Sequence, residues 1–178
     1  MTGPLDAVAG RLAAVPGLRR WIGPDDGVVV AQAASIAALA WPGRARWQLP
    51  TPVLAAAGAA LVGGGAVTVA AGAVHGARLT PRVEPPEDAE LYTEGLYALS
   101  RNPIYAGLLT AAAGWAVLRR RPEPLLAWAA LVAVLTRKAR QEEARLVERF
   151  GQPYEAYRLR TPRFVGLPRG RRDGTGAR

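Results

Sequence analysis

Two stretches of this chain gather polar residues at spacings that chemistry could use. The first is Thr93-Glu94-Gly95-Leu96-Tyr97, followed by Ser100-Arg101-Asn102-Pro103-Ile104-Tyr105-Ala106-Gly107. The second is Glu142-Glu143-x-x-Leu146, followed by Phe150-Gly151-x-x-Tyr154-x-x-Tyr157. Arg101-Asn102-Pro103 reads as a helix start, with Asn102 as N-cap and Pro103 at the first helical position. Such a start leaves backbone N–H groups facing any anionic group nearby. Glu142 and Glu143 lie among Arg140, Arg145 and Arg149, and taken alone they read as a salt-bridged, solvated helix face. With no cysteine, thiol catalysis, disulfides and Cys-based zinc sites are excluded, and no metal site is expected. The single histidine, His75, ends an apolar run and reads as an interfacial or capping residue, so no chemistry is assigned to it.

The four pieces, in this order and spacing, resemble the isoprenylcysteine carboxyl methyltransferase and phospholipid methyltransferase family of membrane enzymes. The family pattern runs Gly-Pro-Tyr, Arg-His-Pro-x-Tyr-x-Gly, a hydrophobic hairpin, Glu-Glu-x-x-Leu, and Phe-Gly-x-x-Tyr-x-x-Tyr. The match is strongest over residues 91–163. The resemblance implies an S-adenosylmethionine-dependent methyltransferase acting on a lipophilic, membrane-borne acceptor. By the same resemblance, Leu91, Tyr92, Tyr97, Asn102, Pro103, Ile104 and Tyr105 line the cofactor pocket. Glu142 would bind the cofactor's cationic amino group, whereas Glu143 is expected to be exposed or structural. Lys138 and Arg101 are expected on the acceptor side, and the resemblance fixes no catalytic residue. Asn102 stands where the family usually has His; an amide cannot titrate, but it keeps the hydrogen-bonding capacity. Lys138 stands where the family tends to carry Arg, and Lys cannot make the planar two-pronged contact with a carboxylate.

Methyl transfer from a sulfonium is an in-line displacement that needs little acid–base machinery. Fixing donor and acceptor in line is worth several kcal/mol of barrier, up to roughly 7–11 in the best model systems. The acceptor stays open among a prenylated thiol-carboxylate, a phospholipid amine, and a lipid phenol or quinol. A non-catalytic membrane protein that keeps the fold is the alternative, supported by Asn102 and Lys138. Retention of Tyr97, Tyr105 and Glu142 speaks against it, because such polarity at a membrane edge has no packing benefit.

The elements that must position these residues show in the distribution of charge. Half of the residues are hydrophobic and 21% are charged, but the two kinds are segregated. No charge falls in 27–43, 47–74, 102–118 or 124–136, and Arg is dense outside these windows. That is the layout of membrane helices joined by polar loops. The expected fold is all-α: an integral-membrane bundle of about four transmembrane or membrane-embedded helices, with a cytoplasmic C-terminal helical segment. Residues 1–165 form one domain, and 166–178 form a basic tail expected to be disordered.

Pro4 to Trp21 reads as a short amphipathic segment on the membrane surface, interrupted at Pro16-Gly17. Val28 to Trp41 is a short apolar run, and Trp41 and Trp47 bracket a basic loop as interfacial aromatics do. Thr51 to Val74 is long enough to cross the bilayer core of about 30 Å. Within it, Gly63-Gly64-Gly65 lacks the strand–turn–helix setting of a nucleotide loop and reads instead as a close helix contact. Arg78 to Glu94 is a polar connector. Pro103–Leu118 and Pro124–Thr136 follow as a hairpin joined by Arg119-Arg120-Arg121-Pro122-Glu123, each run short for a full crossing. Arg137 to Phe150 continues as a charged helix that Gly151 and Pro153 end. Phe150, Tyr154 and Tyr157 are expected to pack the C-terminal helices on the bundle. Trp115 and Trp128 read as interfacial, lipid-facing or tunnel-lining residues.

The net charge of +9 fits an anionic membrane face or nucleic acid. The Arg residues flank apolar helices, so lipid headgroups are favoured and a nucleic-acid partner is not expected. If all four runs cross, the charge asymmetry puts both termini and the motif region on the cytoplasmic side of the cytoplasmic membrane.

Overall fold

Thr51–Ala73 forms an unbroken helix of 23 residues, the one described helix long and apolar enough to cross a membrane. The computed structural model describes residues 3–15, 27–76 and 90–165, and all regular structure in them is helical. In chain order the helices are α1 (Pro4–Ala13), α2 (Gly27–Leu39), α3 (Thr51–Ala73), α4 (Leu96–Leu99), α5 (Pro103–Leu118), α6 (Pro122–Phe150) and α7 (Gln152–Arg160). Most of the polar connector and the basic tail lie outside the described residues. Proline occupies the first turn of α1, α3, α5, α6 and α7, where its missing N–H costs nothing and its fixed φ suits the helix.

α3 and α5 form the tightest pair, and glycines make it possible. A Cβ on Gly64 would meet the Gly107 carbonyl and the Ala111 backbone. One on Gly107 would lie 2.6 Å from Thr68 Oγ1 and 2.8 Å from Thr68 N, and one on Gly114 would strike the Ala57 carbonyl. Gly63 and Gly65 face nothing within 4 Å, so only the middle residue of the glycine triplet does the packing. The outer face of α3 is apolar and uncovered, with Val62 and Val69 each 72% exposed. Such a surface suits lipid rather than water.

α2, α5 and α6 enclose the main core of Leu39, Ala112, Ala116, Leu131 and Leu135. α2 and α5 are apolar but only 13 and 16 residues long, shorter than a comfortable crossing. α6 differs: the apolar run and the charged run behind it form one continuous helix of 29 residues. Each tryptophan of the hairpin donates its indole N–H across a helix boundary. Trp115 Nε1 reaches the Leu39 carbonyl and Trp128 Nε1 the Leu109 carbonyl, both at 3.0 Å.

Helix ends meet at opposite poles. At one pole, the 41–50 segment joins the turn between α5 and α6: Arg46 N and Trp47 N donate to the Arg120 carbonyl at 2.9 and 3.0 Å. Arg119 and Arg121 both donate to the Trp41 carbonyl, and Arg46 pairs with Glu123 at 2.9 Å. At the other pole lie the start of α2, the end of α3, α4, the start of α5 and the charged half of α6. α1 ends at Ala13, before Pro16, and packs on α2. Asp6 links the two: its Oδ2 accepts from Gly3 N at 2.8 Å and its Oδ1 from Gly27 N at 3.1 Å. Residues 16–26 lie outside the described residues.

Candidate functional site

The motif residues meet at the second pole, where they divide between an ion-pair clamp and an inner polar cluster. The clamp is built on Glu143, which is 4% exposed. Arg101 donates to it through Nε at 3.3 Å and Nη2 at 3.0 Å. Arg163 does the same at 3.0 and 2.9 Å, and Asn102 Nδ2 adds a bond of 3.0 Å to Oε1. Burial alone would raise the Glu143 carboxyl, but the hydrogen bonds from Arg163 and Arg101 hold it below its ordinary value.

The clamp answers what the chain start of α5 does with its polar residues. Asn102 occupies the N-cap position, but its side chain makes no cap; it turns to Glu143 and to the Arg163 carbonyl at 3.2 Å. Arg101 N and Asn102 N donate to the Pro162 and Arg163 carbonyls at 2.9 and 3.1 Å. Arg101 Nη1 reaches the carbonyls of Arg158 and Thr161 at 2.9 and 2.6 Å. Arg101 therefore spends its donors on Glu143 and the 158–161 backbone, and its place is at the junction of α5, α6 and α7. Glu143 takes the structural side of the two expectations stated for it.

The inner cluster is built around Glu142, one residue away on the next face of α6. Tyr105 Oη donates to Glu142 Oε1 at 2.7 Å. Lys138 Nζ stands 4.0 Å from the same oxygen, donates to Gln32 Oε1 at 2.9 Å, and lies 5.4 Å from the centre of the Tyr105 ring. Oε2 of Glu142 accepts no hydrogen bond from the described residues, and the side chain keeps 21% of its surface exposed. Burial pushes the Glu142 carboxyl up to about 7, and the ammonium of Lys138 and the Tyr105 hydroxyl only partly offset it. The Lys138 side chain is 1% exposed.

Tyr97, on α4, connects the two groups. Its carbonyl accepts from Tyr157 Oη at 2.6 Å, which anchors α7 beneath it. Its hydroxyl lies 2.5 Å from His75 Nε2, and the ring of Tyr92 packs edge-on to His75 with centroids 4.9 Å apart. Burial raises the Tyr97 hydroxyl, and the charge of Glu142 adds to that shift. Burial lowers the His75 imidazole, which therefore favours its neutral form.

Tyr92, Tyr97, Tyr105, Glu142 and Lys138 thus gather at one pole with Gln32 and His75, while Arg101 and Asn102 belong to the adjoining clamp. Pro103 and Ile104 open α5 between the two; Leu91 precedes α4. Three participants carried little signal in the sequence. Gln32 is a lone amide in an apolar run, and a polar residue there is a hint of use. His75 is the chain's one histidine, and it makes the hydrogen bond to Tyr97 in place of a capping contact. Arg163 had no local pattern at all. Tyr154 and Tyr157 are buried as expected for packing of the C-terminal helices.

A buried carboxyl with one occupied and one open oxygen, ringed by phenols, can take up a cationic group at the edge of an apolar bundle. A family model described as phospholipid methyltransferase matches residues 53–153, more than half of the chain. The match takes in α3 to α6 and leaves out α1, α2 and the Arg163 arm of the clamp. No curated protein and no solved structure matches the chain.

Proposed function

The chain belongs to the phospholipid methyltransferase family of membrane proteins, and on that footing we propose that it transfers a methyl group from S-adenosylmethionine to a lipophilic acceptor held in the bilayer. The observation that carries this reading is Glu142: a carboxyl sunk among Tyr105, Lys138 and Tyr97 of α4, with Oε2 accepting no hydrogen bond from the described residues. A cationic amino group fits such a carboxyl, since the pair replaces the water that burial removed. The cofactor, when bound, supplies the methyl group on a sulfonium. Tyr92, Tyr97 and Tyr105 give the pocket aromatic faces and hydroxyls, and Leu91, Pro103 and Ile104 give it apolar walls. Glu143, Arg101, Asn102 and Arg163 lock α5, α6 and the chain after α7 into one frame, so that the pocket keeps its shape and excludes water.

Lys138 bears on the acceptor. Its ammonium is directed at Gln32 and Glu142, which favours an amine or hydroxyl acceptor over a lipid carboxylate. α2, α3, α5 and the apolar half of α6 cross or embed in the cytoplasmic membrane, with the site on the cytoplasmic side. The charge asymmetry supports this orientation, because among the described residues the opposite pole holds Arg44, Arg46 and Arg119 to Arg121 as its cations.

Calorimetric titration of detergent-solubilised protein with S-adenosylmethionine tests the reading, wild type beside Glu142→Gln. Saturable binding that the variant loses is expected. No binding by folded wild type would sink it. Incubation with membranes and methyl-labelled cofactor then classifies the acceptor. Label released as methanol by mild base marks a carboxyl ester, and base-stable label in the lipid fraction marks the expected amine or hydroxyl product.

A further inference from the structure

α2 lies outside the region matched to the family, yet it sends one polar side chain into the site. Gln32 is surrounded in sequence by Val28, Val29, Val30, Ala31, Ala33 and Ala34, and an amide in such a helix has to find a partner. Its Oε1 accepts from Lys138 Nζ at 2.9 Å, a hydrogen bond of normal length to a charged donor. The same ammonium stands 4.0 Å from Glu142 Oε1, at the outer limit of an ion pair. Lys138 and Glu142 are one turn apart on α6, a spacing at which a Lys and a Glu can close to direct contact. They do not close here. The ammonium sits on the side of the amide oxygen, over the Tyr105 ring, and Glu142 is left with the Tyr105 hydroxyl as its one hydrogen-bond donor among the described residues.

We propose that Gln32 is a positioning residue: it holds the Lys138 ammonium off Glu142 and so keeps that carboxyl open to the cationic end of the cofactor. The part that concerns the cofactor rests on the methyltransferase reading. The part that concerns Lys138 and Glu142 does not. Were Lys138 to close on Glu142, the carboxyl would already be neutralised by a partner of its own chain. An incoming ammonium would then have to displace it. A buried amide makes this control cheap, because it ties up a cation without adding a charge of its own. Among the described residues, the other groups facing Glu142 are Tyr105 from α5, Tyr97 from α4, and Arg145 and Glu143 on its own helix. None of them sits on α2, so Gln32 acts on Glu142 through Lys138.

The test is a double-mutant cycle between Gln32 and Lys138, read by infrared titration of the Glu142 carboxyl, whose band is assigned by its loss in Glu142→Gln. Gln32→Leu should lower the pH at which the carboxyl titrates, since the ammonium loses the amide that draws it to the α2 side and moves toward the carboxylate. Lys138→Met should raise it. In the Lys138→Met background, Gln32→Leu should then change nothing. Gln32→Met, which keeps the length and removes the amide, serves if leucine perturbs α2. A titration that is unmoved or raised by loss of the amide, or moved equally with and without Lys138, would overturn the proposal. Calorimetry of the same proteins with S-adenosylmethionine at neutral pH should show roughly tenfold weaker binding in Gln32→Leu. Unchanged affinity there would overturn the cofactor part. If wild type binds no S-adenosylmethionine, the methyltransferase reading fails, while the cycle still decides whether Gln32 controls Glu142.

Discussion

Glu142 and Glu143 are neighbours on one helix, and their surroundings push them in opposite directions. Glu142 has burial against it and little compensation, so its carboxyl rises from 4.5 to about 7. The folded chain therefore holds this proton between pH 4.5 and 7, where an unfolded chain has released it. The stability it contributes is present below that window and lost as pH rises through it. Glu142→Gln should accordingly resist denaturation better than wild type at pH near 8, with little difference near pH 5, as followed by thermal unfolding in detergent. Cofactor affinity should run the other way. A cation needs the ionised carboxylate, so wild-type affinity should fall as pH drops below about 7, and calorimetry across that range should show proton release on binding. A flat profile would mean that the cation is met elsewhere. Glu143 is depressed below its ordinary value by Arg163 and Arg101, so its contribution is present above about pH 4.5 and lost below. Glu143→Ala strands the nearly buried Arg101 guanidinium and should cost about 3–5 kcal/mol in chemical denaturation. A cost under about 1 kcal/mol would mean that the clamp behaves like a surface ion pair.

Among the elements, the contact of α3 with α5 is the one most easily broken by a single atom group. Gly107→Ala would place a methyl group against the Thr68 backbone, with the Gly64 carbonyl 2.7 Å away, and backbone cannot step aside. The helices must separate, at a cost of about 1–3 kcal/mol in melting experiments. Gly65→Ala, on α3 with nothing within 4 Å of the added methyl group, should not lower the melting point. Equal effects of the two substitutions would show that propensity and not packing is being measured. α7 turns back where Gly151 adopts φ of 58°, a conformation that suits glycine, and Tyr157 then reaches the Tyr97 carbonyl. Through that bond the last helix steadies α4, which is only one turn long and bears Tyr97.

At the scale of the whole molecule, the site and the arginine-rich turn lie at opposite poles of the bundle, so they should be reached from opposite sides of the membrane. The absence of cysteine makes this simple to check. Arg44→Cys and Glu155→Cys both fall at exposed positions. An impermeant maleimide applied to intact cells should label the first and spare the second until the membrane is opened. The reverse pattern would invert the proposed orientation, and labelling of both from one side would rule out the three crossings by α3, α5 and α6 expected between the two positions.

Much of this architecture is written in local sequence. Uninterrupted apolar runs and a proline in the first turn determine where α3, α5 and α6 begin, because both act within one or two helical turns. The order and spacing of the Asn102-Pro103, Glu142-Glu143 and Tyr154/Tyr157 pieces likewise pointed to the family. The resemblance set Glu142 apart from Glu143, but the clamp that holds Glu143 was not written there. That depends on Arg163, Arg101 and Asn102 arriving from three other segments to neutralise Glu143. Nor could the spacing show Gln32 meeting Lys138 across 106 positions, His75 bonding Tyr97, or the middle glycine of three bearing the helix contact. Helix formation is decided by neighbours along the chain. The charge state and reach of a buried side chain are decided by whatever the packing of other helices brings within a few ångströms of it, and only the tertiary structure holds that information.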